Sequence, residues 1–224
     1  MDKQDLCILF DLDGTLVDSE GICQQGYLDL VPELSESVED MILRYRGINL
    51  EEIMVDLEKR VGRRLEEDFE SRYRARVAQL LASRLQPMPG VPEMLTQLTA
   101  AGFPMCIASN GPLHKMRLSL ETCDLLHYFE GRLYSAHEIL AWKPDPSLFL
   151  YAAHQLGYPP EQCVVIEDSP VGIEAAIAAG MIACYFDHHA APPAEVPSTV
   201  LRLRTMPELP DLIANIATYK RRWS

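Results

Sequence analysis

The sequence predicts an α/β protein: a Rossmann-like, doubly wound parallel sheet with a small α-helical domain inserted after the first strand. Three observations predict it. Short apolar runs recur at 6–10 (LCILF), 103–108 (FPMCIA), 163–167 (CVVIE) and 182–186 (IACYF), each continuous rather than alternating, as expected of strands buried on both faces. Segments of helical apolar spacing stand between them, at 90–101, 146–156 and 170–179, which is the alternation of a parallel sheet. From about residue 20 to 87 the rhythm breaks, with no strand-like run and apolar positions at a helical period.

Taken in order, the first strand is followed by the insert. Its apolar positions form three stripes: Val38, Met41, Ile42 and Tyr45; Leu50, Ile53, Met54, Leu57 and Val61; and Leu65, Phe69, Tyr73, Val77, Leu80 and Leu81. The stretch Gln86-Pro87-Met88-Pro89-Gly90 reads as a proline-rich hinge where the α/β pattern resumes. This divides the chain into a core of residues 1–18 and 88–224 and an insert of residues 19–87. The helix at 170–179 has strong end signals, Ser169-Pro170 at its start and Gly180 just past its end. The proline-rich stretch 190–198 reads as a surface loop, and the final YKRRWS as a short basic end.

Composition narrows the function. The 33 acidic against 20 basic side chains give a formal charge of −13, which repels phosphate backbones and argues against nucleic acid as a partner. The six cysteines show no CxxC pair and no metal-ligand spacing with histidine, so they are expected to be small buried hydrophobes in a reducing cytoplasm. The apolar start of the chain is too short for a signal peptide or membrane span, so no membrane association is expected. The arginines at 60, 63, 64, 72, 74 and 76 are interleaved with Glu66, Glu67, Asp68 and Glu70, the pattern of a solvated helix face rather than a basic patch. His188 and His189 read as loop residues.

The residues that carry chemistry stand where strands end. Phe10-Asp11-Leu12-Asp13-Gly14-Thr15 leaves the first strand at its carboxyl end, where open α/β sheets place their ligands. Alone, Asp13-Gly14-Thr15 is equally a turn. Ser109-Asn110-Gly111 closes the next core strand with groups suited to phosphate, although it too could be an ordinary turn. Trp142-Lys143-Pro144-Asp145-Pro146 holds a lysine in extended backbone before proline. The strand at 163–167 ends in Glu167-Asp168-Ser169, just before a helix N-terminus that suits anions and hard cations, with Ser169 a candidate cap.

The ordered set DLDGT, SN, KPDP and EDSPVG resembles the four signature motifs of the haloacid dehalogenase superfamily. Within it the chain looks like the branch of small phosphatases and β-phosphoglucomutase-like enzymes with a helical cap after the first motif. Asp18-Ser19-Glu20, Arg46-Gly47 and Ser109-Asn110-Gly111-Pro112 are similar to bacterial sugar-phosphate phosphatases of the 6-phosphogluconate phosphatase type. The resemblance implies that Asp11 is the nucleophile of a covalent aspartyl-phosphate and Asp13 the general acid and base. It implies phosphate contacts from Ser109, Asn110 and Lys143. It also implies a Mg²⁺ ion on Asp11, the Asp13 carbonyl and Asp168, with Glu167 beside the ion.

The substrate implied is a small phosphate ester: a sugar, polyol or sugar-acid phosphate, with 6-phosphogluconate a candidate, and the assembly a monomer or weak homodimer. The cap is expected to close over the site, with specificity carried by Glu20, Arg44, Arg46 and Gly47 and by His114 and Lys115 of the core. A sugar-phosphate mutase shares the same phospho-aspartate, and the motifs do not separate the two; a non-catalytic protein of the same fold would be expected to have lost Asp11 or Asp13. An arginine at 46 could hold a substrate carboxylate with paired hydrogen bonds, or simply end a helix in solvent. If it holds the substrate, Arg46→Ala raises KM and alters the substrate profile in a phosphate-release assay; an unchanged profile removes that role.

Overall fold

The computed structural model describes residues 5–45, 48, 50–188 and 196–221, the last three through their backbone. Its strands are β1 (Cys7–Phe10), β2 (Met105–Ser109), β3 (Leu133–Ser135), β4 (Cys163–Glu167), β5 (Ile182–Phe186) and β6 (Leu201–Leu203). Among the described residues they form one sheet in the order β3-β2-β1-β4-β5-β6, every pair parallel. The four runs predicted as strands are β1, β2, β4 and β5. The sequence reading missed β3 and β6, the two edges, because each has only three residues and so shows no periodicity.

The chain builds outward from β1 to β2 and β3, then returns to β4 on the other side of β1. That reversal opens a crevice at the carboxyl ends of the central strands, the switch point where such sheets bind ligands. The helices are α1 (Glu20–Leu30), α2 (Val38–Tyr45), α3 (Leu50–Val61), α4 (Phe69–Arg84), α5 (Val91–Ala100), α6 (Leu113–Thr122), α7 (Ala136–Ile139), α8 (Ser147–Leu156), α9 (Pro170–Ala178) and α10 (Leu209–Arg221).

The continuous apolar runs are explained by two cores, one on each face of the sheet. Ile8 and Phe10 of β1 and Val164 and Ile166 of β4 point into the first, with α5, α6 and α10. Cys7, Leu9, Cys163 and Val165 point into the second, under α8 and α9. Alternate residues thus face opposite layers, and each large one contributes roughly 1.5–3 kcal/mol by leaving water. Four of the cysteines lie on these strands, fully buried, and none of the six is disulfide-bonded. No helix among the described residues is long and apolar enough to cross a membrane.

Helices α1 to α4 form the insert, and their apolar residues, among them Tyr27, Met41, Ile53, Leu57, Phe69 and Tyr73, join the first core cluster. Tyr27 and Tyr73 stack with ring centroids 4.1 Å apart and tie α1 to α4. The expected solvated arginine face is present: Arg63, Arg72, Arg74 and Arg76 pair with Glu33, Glu66, Asp68, Glu70 and Asp29 near the surface. Arg60 departs from it. Its guanidinium donates to the Tyr45 hydroxyl at 2.7 Å and pairs with Glu36, joining α2, α3 and the loop before them.

The two linkers of the insert run side by side. The Asp18 N–H donates to the Gln86 carbonyl at 3.0 Å and the Met88 N–H to the Leu16 carbonyl at 2.9 Å, with Val17 and Pro87 bridged between them. Part of the expected loop, residues 190–195, lies outside the described residues, as does His189.

The close approach of α1 and α4 depends on Gly26, where a Cβ atom would stand 2.8 Å from Val77 Cγ2 and 3.1 Å from Tyr73. In an open helix Gly→Ala stabilises by about 1 kcal/mol, whereas overpacking costs about 1–3 kcal/mol. The clash is therefore expected to win, and Gly26→Ala to lower Tm by a few degrees in thermal unfolding; a raised Tm would mean that α1 moves freely off α4.

Candidate active site

The predicted residues Asp11, Asp13, Ser109, Asn110, Glu167 and Asp168 follow or close β1, β2 and β4 at their carboxyl ends, and Lys143 joins them there. Asp11 follows β1 directly, and its backbone N–H donates to the Ile166 carbonyl at 2.9 Å, which extends the β1–β4 ladder by one residue and fixes the side chain at the crevice floor. The Lys143 ammonium stands between two buried carboxylates, 2.5 Å from Asp11 Oδ1 and 2.9 Å from Glu167 Oε1. It also lies 4.9 Å from the centroid of the Phe149 ring. Burial works against the Lys143 charge, but Asp11 and Glu167 outweigh it and raise its pKa.

The extended lysine is held in place by Asn110. The Asn110 Oδ1 accepts from the Lys143 N–H at 2.9 Å and its Nδ2 donates to the Lys143 carbonyl at 3.4 Å. The Asn110 side chain thus grips the lysine backbone. Ser109, almost fully buried, accepts from the Gly111 N–H at 3.1 Å, and Ser135 donates to the Gly111 carbonyl at 2.7 Å. The loop after β2 is therefore tied to β3, the strand the sequence did not reveal.

Glu167 and Asp168 part company at the end of β4. The Glu167 Oε2 accepts from the Ser169 N–H at 2.6 Å and from its hydroxyl at 2.8 Å, while Oε1 takes Lys143. Ser169 in turn caps α9, accepting from the Gly172 N–H at 3.1 Å as its sequence position suggested. Asp168 accepts from the Thr15 hydroxyl at 2.9 Å. Gly14, at φ +83°, lies against the same carboxylate, since a Cβ there would stand 2.3 Å from Asp168 Oδ2.

Asp13 has a separate environment. Its Oδ1 accepts from the Ser19 hydroxyl at 2.6 Å, and both its oxygens accept from the Lys115 ammonium at 2.9 Å. Burial alone would raise the Asp13 pKa, but the Lys115 charge and the Ser19 hydrogen bond bring it below its ordinary value. Asp11 moves the other way. Burial pushes it well above the usual carboxylate range; Lys143 pulls it down, and the charges of Glu167 and Asp168 push it up again.

The donors present fit a hard cation. Asp11, Asp13, Glu167 and Asp168 bring four carboxylates to a site that holds the two ammonium groups of Lys143 and Lys115, and after burial the charges of Glu167 and Asp168 add to the elevation of Asp11. Among the described residues no three His, Cys, Asp or Glu side chains converge as a metal cluster.

The remaining predicted residues fare differently. Glu20 opens α1 beside Ser19, and its charge reaches the Cys23 thiol. Arg46 and Gly47 lie outside the described residues. His188, read as a loop residue, has its Nε2 4.0 Å from Asp168 Oδ2 and its ring stacked on Phe186 at 4.5 Å. The sequence suggested Lys115 as a specificity residue but not its place on Asp13, 102 positions away. The Thr15–Asp168 contact likewise had no local signal.

A family model, haloacid dehalogenase-like hydrolase, matches residues 6–180, which include all four motif-bearing segments of the site. Over 209 residues the chain is 39% identical to the 6-phosphogluconate phosphatase of Escherichia coli, covering 90% of this chain and 93% of that protein. It superposes with a TM-score of 0.81 on the crystal structure of a conserved haloacid dehalogenase-like protein of unknown function from Agrobacterium tumefaciens, at 32% identity and over 96% and 99% of the two chains. A second structure, a hydrolase of this family from Deinococcus radiodurans with bound phosphate and sodium, gives a TM-score of 0.80 at 29% identity over 97% and 98%. Sequence and fold agree along nearly the whole chain, and the protein belongs to the haloacid dehalogenase-like hydrolases.

Proposed function

We propose that this hydrolase is a phosphatase acting on a small phosphorylated metabolite, a sugar, polyol or sugar-acid phosphate, through an aspartyl-phosphate on Asp11. One observation carries the reading: Asp11 stands at the crevice floor against the Lys143 ammonium, and Asp13 leaves the same strand end two residues on, held by Ser19 and Lys115. The relative of 39% identity is a 6-phosphogluconate phosphatase, which makes that sugar-acid phosphate the first substrate to try. The phosphate bound in the Deinococcus relative supports the same chemistry.

Asp11 attacks phosphorus in line, forming an acyl phosphate as the P–O bond to the leaving alcohol breaks. In its protonated form Asp13 gives a proton to the departing oxygen, and the carboxylate left behind then takes one from the water that cleaves the acyl phosphate. Ser109, the Asn110 N–H and the Lys143 ammonium stabilise the transferring oxygens, and Asn110 and Glu167 position Lys143. Mg²⁺, held by Asp11, the Asp13 carbonyl and Asp168, would supply the positive charge that lets a carboxylate nucleophile meet a phosphate dianion. Glu167 accepts from Ser169 and Lys143 and acts through the lysine. The insert, residues 19–87, serves as a cap that excludes water and contacts the leaving group.

The direct test is phosphate release from a panel of sugar, polyol and sugar-acid phosphates, with and without Mg²⁺. Release is expected to require the metal and to fall by at least about a thousandfold in Asp11→Asn. Isomerisation of the sugar phosphate without release would instead make the enzyme a mutase.

The Glu167 grip on Lys143 gives a second test. A Cβ at Gly172 would stand 1.9 Å from Glu167 Oε1, and three bonds hold that carboxylate where it is. Gly172→Ala therefore displaces Glu167 and with it Lys143, and is expected to lower kcat by roughly 10- to 100-fold while the fold persists. An unchanged kcat would mean that Lys143 needs no such support.

A further inference from the structure

The contact between Lys115 and Asp13 raises a question that the phosphatase chemistry does not answer. Within the described residues the Lys115 ammonium donates to Asp13 alone, spending two bonds of 2.9 Å on its two oxygens. The side chains are 23% and 30% exposed, so the pair faces the cleft, whereas Lys143 and Glu167 are each only 2% exposed. On the cap side stand Ser19, which shares the Asp13 carboxylate, and Cys23, whose thiol feels the Lys115 charge. Lys115 thus sits where core helix α6 meets the first turn of α1, beside the acid that must serve the leaving group.

An Asp13 carboxyl that turns one oxygen to the leaving group can no longer present both to Lys115. An ammonium has three donors and no acceptor, and leaving it unsatisfied in a closing cleft is unfavourable. A replacement acceptor must lie within hydrogen-bond reach of the ammonium, and so close to the leaving oxygen. An oxygen on the carbon adjacent to the phosphoester carbon meets that requirement. One carbon further along it is displaced, and in a plain alkyl ester it is absent.

We propose that Lys115 is a specificity-determining residue that reads an oxygen, hydroxyl or carboxylate, on the carbon next to the phosphoester carbon of the substrate. The inference rests on the phosphatase reading above and narrows its substrate class to vicinal hydroxy and α-carboxy phosphate esters. It also gives Lys115 a second partner during turnover, exchanged for Asp13 as the leaving group is engaged.

The test compares kcat/KM for propyl phosphate, 2-hydroxypropyl phosphate, 3-hydroxypropyl phosphate and phosphoglycolate, with wild-type enzyme and Lys115→Met. Wild type is expected to favour 2-hydroxypropyl phosphate or phosphoglycolate over the propyl and 3-hydroxypropyl esters by at least about tenfold. The two favoured esters separate hydroxyl from carboxylate recognition. Lys115→Met is expected to bring the ratio to about one, and Lys115→Arg to keep part of it. Equal rates on all four esters in wild type overturn the inference without recourse to any variant, and so does a preference that survives in folded Lys115→Met. If wild type releases phosphate from none of these esters nor from any of the sugar, polyol and sugar-acid phosphates of the panel above, the phosphatase reading itself falls, and the inference with it.

Discussion

The site depends on one buried cation. Lys143 holds Asp11 and Glu167 apart and together at once, and without its charge two carboxylates would face each other at the crevice floor with little solvent to separate them. Removing one partner of such a buried arrangement typically costs about 3–5 kcal/mol, because the remaining charges are left uncompensated. Much of the neighbourhood serves to keep this lysine in place. Asn110 grips its backbone from β2, Glu167 takes its head from β4, and Phe149 of α8 lies beside it. Three separate segments converge on it, and the sheet order places two of their strands, β2 and β4, on either side of β1, which delivers Asp11.

Asp13 is governed by a second, more exposed cation. Lys115 and Ser19 bind it from the core and from the entrance to the insert, so the acid sits at the seam between the two parts of the chain. Its partner Lys115 is part-exposed, whereas the lysine that holds Asp11 is buried. The proposed phosphoryl transfer would use such a division, with the attacking group fixed and the proton-handling group nearer to solvent.

The main lines of this arrangement were legible in the sequence. Continuous apolar runs announced the inner strands, since residues facing two cores leave no polar alternation, and Asp11, Ser109 and Glu167 were found by counting to the ends of those runs. What was not legible fell into two kinds. The edge strands β3 and β6 are too short to carry a pattern and exist because a neighbour templates them. Contacts such as Lys115 with Asp13, Thr15 with Asp168 and His188 near Asp168 join residues far apart in the chain, and no local rule of spacing reports them. The Asn110 side chain shows a further limit, because its residue type fitted phosphate while its geometry fits the lysine backbone.

The paired linkers have a consequence for how such a chain can diversify. Because residues 16–18 and 86–88 leave and re-enter the core side by side, fastened by the two main-chain hydrogen bonds of one antiparallel bridge, the core meets the insert at its entrance as a single short two-stranded stem. Beyond that stem α4 packs on core helix α6 and the insert's apolar residues continue the first core, so its helices can lengthen or shorten only where those contacts are kept. The stem works as a socket, and new leaving-group preferences can be fitted to an old reaction through it, one helical bundle at a time.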